Sequence, residues 1–255
     1  MAIQPMIIAH RGLPKESPEN TLAAFRLAIA QGADGIEGDF HLTKDKRIVC
    51  IHDSHTARVA NKKLIVKDST LAELQKLDVG YWFNSAFKNE KIPTLEEVLA
   101  ILPSETKLFL EIKSDPEIVP YLLRILKNNR INLNQLVIIS FNSKTLKNVK
   151  QQMPELKTLL LLSLKTFNSI KLSSLSAHKL LKKLDDIDAD GISTSVSQFL
   201  NKNYIYQFIA RGYEYHLWTV DNKKIAEKFI KIGINSITTN NLNTIRQIQY
   251  SSSRN

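Results

Sequence analysis

A closed (β/α)8 barrel, the TIM-barrel class of α/β fold, is what the sequence predicts, and three observations carry it. Short apolar stretches alternate with amphipathic ones along nearly the whole chain, the pattern of parallel strands covered by helices. The alternation yields eight strand–helix units, the number at which a parallel sheet closes on itself. The length, 255 residues, suits a single barrel domain spanning 1–255.

Taken in order, Met6-Ile7-Ile8-Ala9 is an apolar strand ending in a polar turn at His10. Thr21 to Gln31 reads as a helix, because Leu22, Phe25, Leu27, Ala28 and Ile29 fall near amphipathic spacing. Pro18 and Asn20 mark its start and Gly32 its end. Gly35 to Leu42 is the second strand, and Arg47 to Ile51 a further extended run leading to His52. Ser54 to Pro93 then breaks the rhythm with a polar section, a short helix over Leu71–Lys76 and an aromatic patch, Tyr81-Trp82-Phe83. Roughly 40 residues is near the lower limit for independent folding. Residues 54–93 are therefore expected as a small insertion within the barrel.

Thr94-Leu95-Glu96-Glu97 opens a helix to Leu102 with the pattern of a capping box. Six more strands are expected at Lys107–Ile112, Leu136–Ser140, Lys157–Leu162, Asp190–Ser193, Tyr213–Val220 and Ser236–Thr239. Helices are expected at Glu117–Lys127, Lys144–Gln151, Ser176–Leu184, Asn203–Ala210, Asn222–Ile232 and Asn243–Gln249. Ser251 to Asn255 reads as a frayed polar tail.

Hydrophobic residues make up 43% and charged residues 24%, ordinary values for a globular protein. The net charge of +10, from 35 Lys and Arg against 25 Asp and Glu, is spread along the chain and weighted to its second half. Such a field is mostly solvated surface and says little about partners. The single cysteine, Cys50, excludes an intrachain disulfide and a multi-cysteine zinc site, and its apolar neighbours make it a buried core thiol. Met1 to Ala9 lacks the basic segment of a signal peptide. No stretch approaches the ~18 consecutive apolar residues of a membrane span, so no transmembrane segment is expected and a cytoplasmic setting is the default.

The chemistry centres on Ile36-Glu37-Gly38-Asp39-Phe40-His41-Leu42. Side chains two apart on a strand share a face. Glu37, Asp39 and His41 therefore project together, with Ile36, Phe40 and Leu42 opposite. Two adjacent carboxylates repel, and a hard divalent cation is the natural compensator. A barrel carries its active site at the C-terminal ends of its strands, and polar residues gather there. His10 and Arg11 follow the first strand and His52 follows the second strand's extension. Glu111 and Lys113 close the third, and Trp218 stands near the end of the seventh. A lone histidine beside a strand is usually structural, but His10 and His52 both end apolar runs at one rim, which favours catalysis. His41, His55, His178 and His216 lack that support and read as structural or solvated. Glu111 and Lys113 also fit a simple ion pair, and Trp218 fits rim packing as well as a substrate platform.

A series of motifs runs through the chain in order: His10-Arg11-Gly12, Pro18-Glu19-Asn20-Thr21, Gly32-Ala33-Asp34-Gly35-Ile36-Glu37-x-Asp39, Thr43-Lys44-Asp45, Val49-x-x-His52-Asp53, Ile92-Pro93-Thr94-Leu95-Glu96-Glu97, Leu110-Glu111-Ile112-Lys113 and Trp218-Thr219-Val220-Asp221. Together they resemble the motifs of the glycerophosphodiester phosphodiesterase family. The resemblance implies a TIM barrel that uses a divalent metal, Mg²⁺ or Ca²⁺, to hydrolyse a small glycerophosphodiester to sn-glycerol 3-phosphate and an alcohol. It maps Glu37, Asp39 and Glu111 as metal ligands, His10 and His52 as catalytic histidines, and Arg11, Lys113 and Trp218 as substrate contacts. The chain departs from the family at Lys46, around Asn61–Lys63 and at Thr239-Asn240-Asn241-Leu242, none of them a mapped position.

Two other functions fit parts of the sequence. A lysophospholipase D acting on lysophospholipids would use Tyr81-Trp82-Phe83 against an acyl chain. A binding barrel for nucleic acid or anionic lipid would have no use for two histidines and three carboxylates on one rim, so no nucleic-acid partner is expected. The headgroup alcohol, the choice between Mg²⁺ and Ca²⁺, the roles of the two histidines and the oligomeric state stay open at this level.

Overall fold

A computed structural model describes residues 4–128, 131–164, 176–197 and 200–252, the last four as backbone. Its strands are β1 Met6–Ala9, β2 Gly35–Leu42, β3 Ile48–Cys50, β4 Lys107–Ile112, β5 Leu136–Ser140, β6 Lys157–Leu162, β7 Gly191–Ser195, β8 Glu214–Trp218 and β9 Ser236–Thr239. All but β3 run parallel, and β1 pairs with both β2 and β9. The eight parallel strands thus close into the expected barrel. β3 instead lies antiparallel on β2, with Phe40 opposite Cys50 and His41 opposite Val49. The extended run at Arg47–Ile51 is therefore one arm of a hairpin, with Lys46 in the left-handed region (φ 61°) at its turn.

The helices are α1 Leu22–Ala30, α2 Leu71–Leu74, α3 Leu95–Ala100, α4 Val119–Asn128, α5 Ser143–Gln152, α6 Ala177–Ile187, α7 Lys202–Ile209, α8 Lys223–Ile230 and α9 Leu242–Ser252. Among the described residues, no helix is long and apolar enough to cross a membrane. The capping box read from Thr94 and Glu97 is present, and Thr70 with Glu73 forms a second one. α1 is capped by Thr21, whose side chain accepts from Ala24 N. Pro18 and Asn20 lie just ahead of this cap, as expected of the helix entry, and Asn20 also reaches Asp39. α9 takes in Ser251 and Ser252 of the expected tail; the rest of that tail lies outside the described residues.

Two apolar layers hold the barrel. Outward-facing Ile36, Phe40 and Leu42 of β2 pack with Phe25 and Ala28 of α1 in the strand–helix layer. Inside the barrel Ile8, Phe109, Val137, Ile139, Leu159 and Leu161 form a second cluster. Each side chain so buried stabilises the fold by roughly 1.5–3 kcal/mol. Below this plug sits an internal polar group. His216 is 1% exposed, its Nδ1 2.7 Å from Ser236 Oγ and its Nε2 3.1 Å from Glu214 Oε2. Glu214 also pairs with Lys157. His216 is thus structural, as read from the sequence. The stretch from Ser54 to Pro93 packs through Val59, Val66, Leu74, Val79 and Ile92 onto Val49 and Ile51. That contact places the segment beside His52, at the mouth of the barrel.

Candidate active site

The turn after β1 delivers two functional groups at once. His10 N still bonds to Thr239 O of β9 at 2.9 Å, so its side chain starts from a fixed strand end. Arg11 and Gly12 then take left-handed backbone, φ 52° and 81°. A Cβ on Gly12 would lie 2.5 Å from Ala24 Cβ of α1; the turn sits directly against that helix, and only glycine fits. The bend aims Arg11 inward. Its backbone N donates to Glu37 Oε2 at 2.9 Å, its Nε lies 3.3 Å from Asp39 Oδ2, and its NH1 donates to Glu19 Oε1 at 3.0 Å.

Glu37 and Asp39 share the inner face of β2, as their spacing requires, and are 2% and 1% exposed. Glu111 of β4 stands directly opposite Asp39 in the register. One carboxylate oxygen from each of Glu37, Asp39 and Glu111 lies within 4.8 Å of the other two. Lys113 reaches into this cluster, 2.8 Å from Glu111 Oε1 and 3.3 Å from Asp39 Oδ1. The ion pair weighed from the sequence therefore exists and is part of the cluster. Glu37 Oε1 is buried with no hydrogen-bond partner. A buried acceptor left in that state is costly, and a cation at the three acids would satisfy it. The donor set, all carboxylate oxygen, fits Mg²⁺ or Ca²⁺ and not a soft metal.

The charges respond to this crowding. Burial, with repulsion by Asp39 and Glu111, pushes Glu37 well above the ordinary carboxylate value. Burial and Asp39 raise Glu111 to about 7, against the pull of Lys113. Burial alone would raise Asp39 too, but Lys113, Arg11, His52 and the Asn20 amide outweigh it and hold Asp39 low.

The two histidines are backed differently. His10 Nδ1 is 2.7 Å from Asn240 Oδ1. Asn240 Nδ2 donates to Asp221 Oδ2 at 2.8 Å, so the amide must present its oxygen and His10 carries its proton on Nδ1. His10 Nε2 then faces Glu37 at 3.9 Å. Burial and the neighbouring Arg11 lower the His10 pKa. His52 Nδ1 is 2.7 Å from Asp53 Oδ1, a carboxylate. Burial opposes it, but hydrogen bonds from Arg58 and His52 hold Asp53 down at about 2.

His10, Arg11, Glu37, His52, Glu111, Lys113 and Trp218 all line one cavity of about 140 Å³, and Asp39 lies buried behind Glu37 and Glu111. All eight residues singled out from the sequence thus converge. The opposite wall is apolar: Phe109, Ile139, Leu161 and Phe141. Trp218 is fixed by Nε1 donating to Ser193 O at 3.1 Å and meets Phe141 edge to face, with ring centroids 5.7 Å apart.

Sequence reasoning gave several supporting residues no role at the site. Asn20, in left-handed backbone at φ 57°, grips Asp39 twice, Nδ2 donating to Oδ2 at 2.8 Å and Oδ1 accepting from Asp39 N at 3.1 Å. Cys50 Sγ is 3.1 Å from the same Oδ1, and burial pushes this thiol well above its usual value; it is the inert core cysteine expected. Glu19, Asp53 and Asn240 stand inside or beside quoted motifs, but nothing in their local spacing says what they touch. Arg58 and Phe141 carried no signal at all.

The Glycerophosphoryl diester phosphodiesterase family matches residues 10–244 of the chain. A protein of Caldanaerobacter subterraneus subsp. tengcongensis named glycerophosphodiester phosphodiesterase is 35% identical over 252 residues, covering 95% of this chain and 97% of that one. One of the same name from Bacillus subtilis is 30% identical over 252 residues, covering 92% and 83%. Among solved structures, an Oleispira antarctica phosphodiesterase in complex with the product sn-glycerol-3-phosphate superposes with a TM-score of 0.86 at 26% identity, covering 97% of each chain.

Proposed function

The chain belongs to the glycerophosphoryl diester phosphodiesterase family, and from that membership we propose that it hydrolyses glycerophosphodiesters to sn-glycerol 3-phosphate and an alcohol. One observation carries the reading: three acids within 4.8 Å of each other, two histidines and two cations meet at one cavity. The whole chain acts as one barrel domain, with residues 54–93 as its insertion, in a cytoplasmic setting. Glu37, Asp39 and Glu111 would hold Mg²⁺ or Ca²⁺, which when bound supplies Lewis-acid stabilisation of phosphoryl charge.

Arg11 offers a planar fork of donors, and Lys113 a point charge, to the non-bridging oxygens of the diester. Neutral His10, with its free Nε2 facing the cavity, takes the proton of the glycerol 2-hydroxyl as that oxygen bonds to phosphorus. The phosphorus–alcohol bond breaks, and His52 delivers its Nε2 proton to the departing oxygen while Asp53 balances the imidazolium charge. In the second half the roles reverse. His52 takes a proton from water as it adds to the cyclic phosphate, and His10 returns one to the 2-oxygen. Trp218 and the apolar wall pack against the glycerol carbons. ³¹P NMR during turnover should reveal the cyclic phosphate; its absence under single-turnover conditions would indicate direct attack by water.

The cavity falls well below the ~300–1,000 Å³ of pockets that enclose drug-sized ligands. An acyl chain would have to lie outside it, along exposed Tyr81 and Trp82, so the small diester is favoured over a lysophospholipid. Assays for glycerol 3-phosphate release from glycerophosphocholine and glycerophosphoethanolamine, and for choline release from lysophosphatidylcholine, each run with both metals, test both readings. Release from none of these would overturn the proposal.

A further inference from the structure

Arg58 stands in the segment inserted after β3 and is not among the residues lining the cavity, yet its guanidinium joins the two sides of the site. Its Nε donates to Asp53 Oδ2 at 2.8 Å, and the other oxygen of Asp53 holds His52 Nδ1. Its NH1 and NH2 donate to the two oxygens of Glu19 at 2.7 and 2.9 Å, and Glu19 Oε1 also accepts from Arg11 NH1. One rigid cation therefore ties the carboxylate behind His52 to the carboxylate beside Arg11.

Two observations separate this from ordinary surface pairing. The Arg58 side chain is 40% exposed and Asp53 26%, and a pair so exposed adds little to folding stability. What the planar fork does supply is fixed geometry at three donors. The loop carrying Arg58 is also held without that side chain. Fully buried Thr56 accepts from Leu64 N and donates to Lys62 O, and its backbone N bonds to Leu64 O. The next residue, Val59, is anchored in the apolar cluster.

We propose that Arg58 is a positioning residue that holds His52 and Arg11 in one fixed relation, so that the proton donor and the phosphate clamp address the same diester. This rests on the roles given above to His52 and Arg11. A dialkyl diester such as glycerophosphocholine needs its leaving oxygen protonated; the p-nitrophenyl ester of glycerol 3-phosphate does not. In Arg58→Gln, kcat on glycerophosphocholine should fall roughly 10–100-fold, the usual cost of losing a group that orients a functional side chain. KM should rise for both esters, while the single-turnover rate of nitrophenol release, which precedes any use of His52 as base, stays near that of the unmodified enzyme. Equal losses in the single-turnover rates of leaving-group release from the two esters, or no loss on either, would overturn the proposal. Arg58→Lys, which keeps the charge without the fork, carries the same comparison if the glutamine variant does not fold. ¹⁵N NMR of the His52 ring gives a readout independent of turnover. The unmodified protein should show the neutral ring as a single Nδ1–H tautomer and Arg58→Gln a mixture; identical spectra would also sink the idea. An unmodified enzyme that turns over neither ester would count against the reading of the function, and the NMR comparison would still judge Arg58.

Discussion

Asp39 and Glu111 face each other across adjacent parallel strands, paired directly in the β2–β4 register, with the ammonium of Lys113 reaching both. Two buried acids in this relation cannot both ionise freely. Asp39 takes the charge, and Glu111 titrates at about 7.

Cation binding should therefore release protons near neutrality, because the ligands must be ionised. Isothermal titration of metal-free protein with Mg²⁺ or Ca²⁺ in buffers of different ionisation enthalpy should show proton release, with affinity falling as pH drops below about 7. The sign for stability is the reverse of the usual carboxylate. Glu111 has a folded-state pKa above its unfolded value, so its protonated form favours the fold, and the metal-free protein should lose thermal stability as pH rises through about 7. Added metal should restore it, and EDTA should abolish turnover reversibly. Full activity in rigorously metal-free buffer would refute the assignment.

His10→Ala and His52→Ala should each lower kcat by ~10²–10⁴-fold on alkyl diesters, the range for a positioned acid or base. Their effects should part in the single-turnover release of p-nitrophenol from the p-nitrophenyl ester, a step that precedes any use of His52 as base. Loss of the proton donor His52 is tolerated there and loss of His10 is not. The opposite pattern would exchange the two roles.

Lys113→Ala tests whether the ammonium serves the reaction or the fold. With metal saturating, kcat/KM should drop by about 10²–10³-fold, typical for a donor at developing charge, with little change in melting temperature. A collapsed melting temperature with turnover per folded molecule intact would make Lys113 a structural partner of Glu111.

At the start of β8, burial would raise Glu214, but His216 and Lys157 outweigh it and hold the carboxyl down at about 2. A carboxylate depressed in the folded state stabilises above its unfolded pKa, and that contribution fades as pH falls towards about 2. Denaturation by urea at pH 6 and pH 3 should show the loss, and Glu214→Gln should flatten it.

Much of this was legible in the sequence, for a physical reason. Strands of a closed parallel barrel are buried on both faces, so they appear as apolar runs with sharp ends, and β1, β2, β4, β5, β6 and β9 fall where those runs fall. The run at Tyr213–Val220 overshoots: β8 stops at Trp218, and Val220 is buried in the loop beyond it. Glu37, Asp39, Glu111 and Lys113 were readable because spacing by two fixes a shared face. Their supports were not. Asn240 meets His10 across 230 residues and Arg58 meets Glu19 across 39, and no local period encodes such meetings. Asn20 shows the limit of reading locally, since its place at the helix start says nothing of its two hydrogen bonds to Asp39.

β1 is locked between β2 and β9, and β9 is synthesised long after it. A ribosome that has yet to emit Ser236–Thr239 holds a chain whose opening strand has one bare edge, and His10 has no Asn240 to set its ring. Competence therefore waits on Ser236–Thr239 and Asn240. A nascent chain arrested after Gly233 should be cut readily by protease around Met6–Ala9, and the finished one should resist.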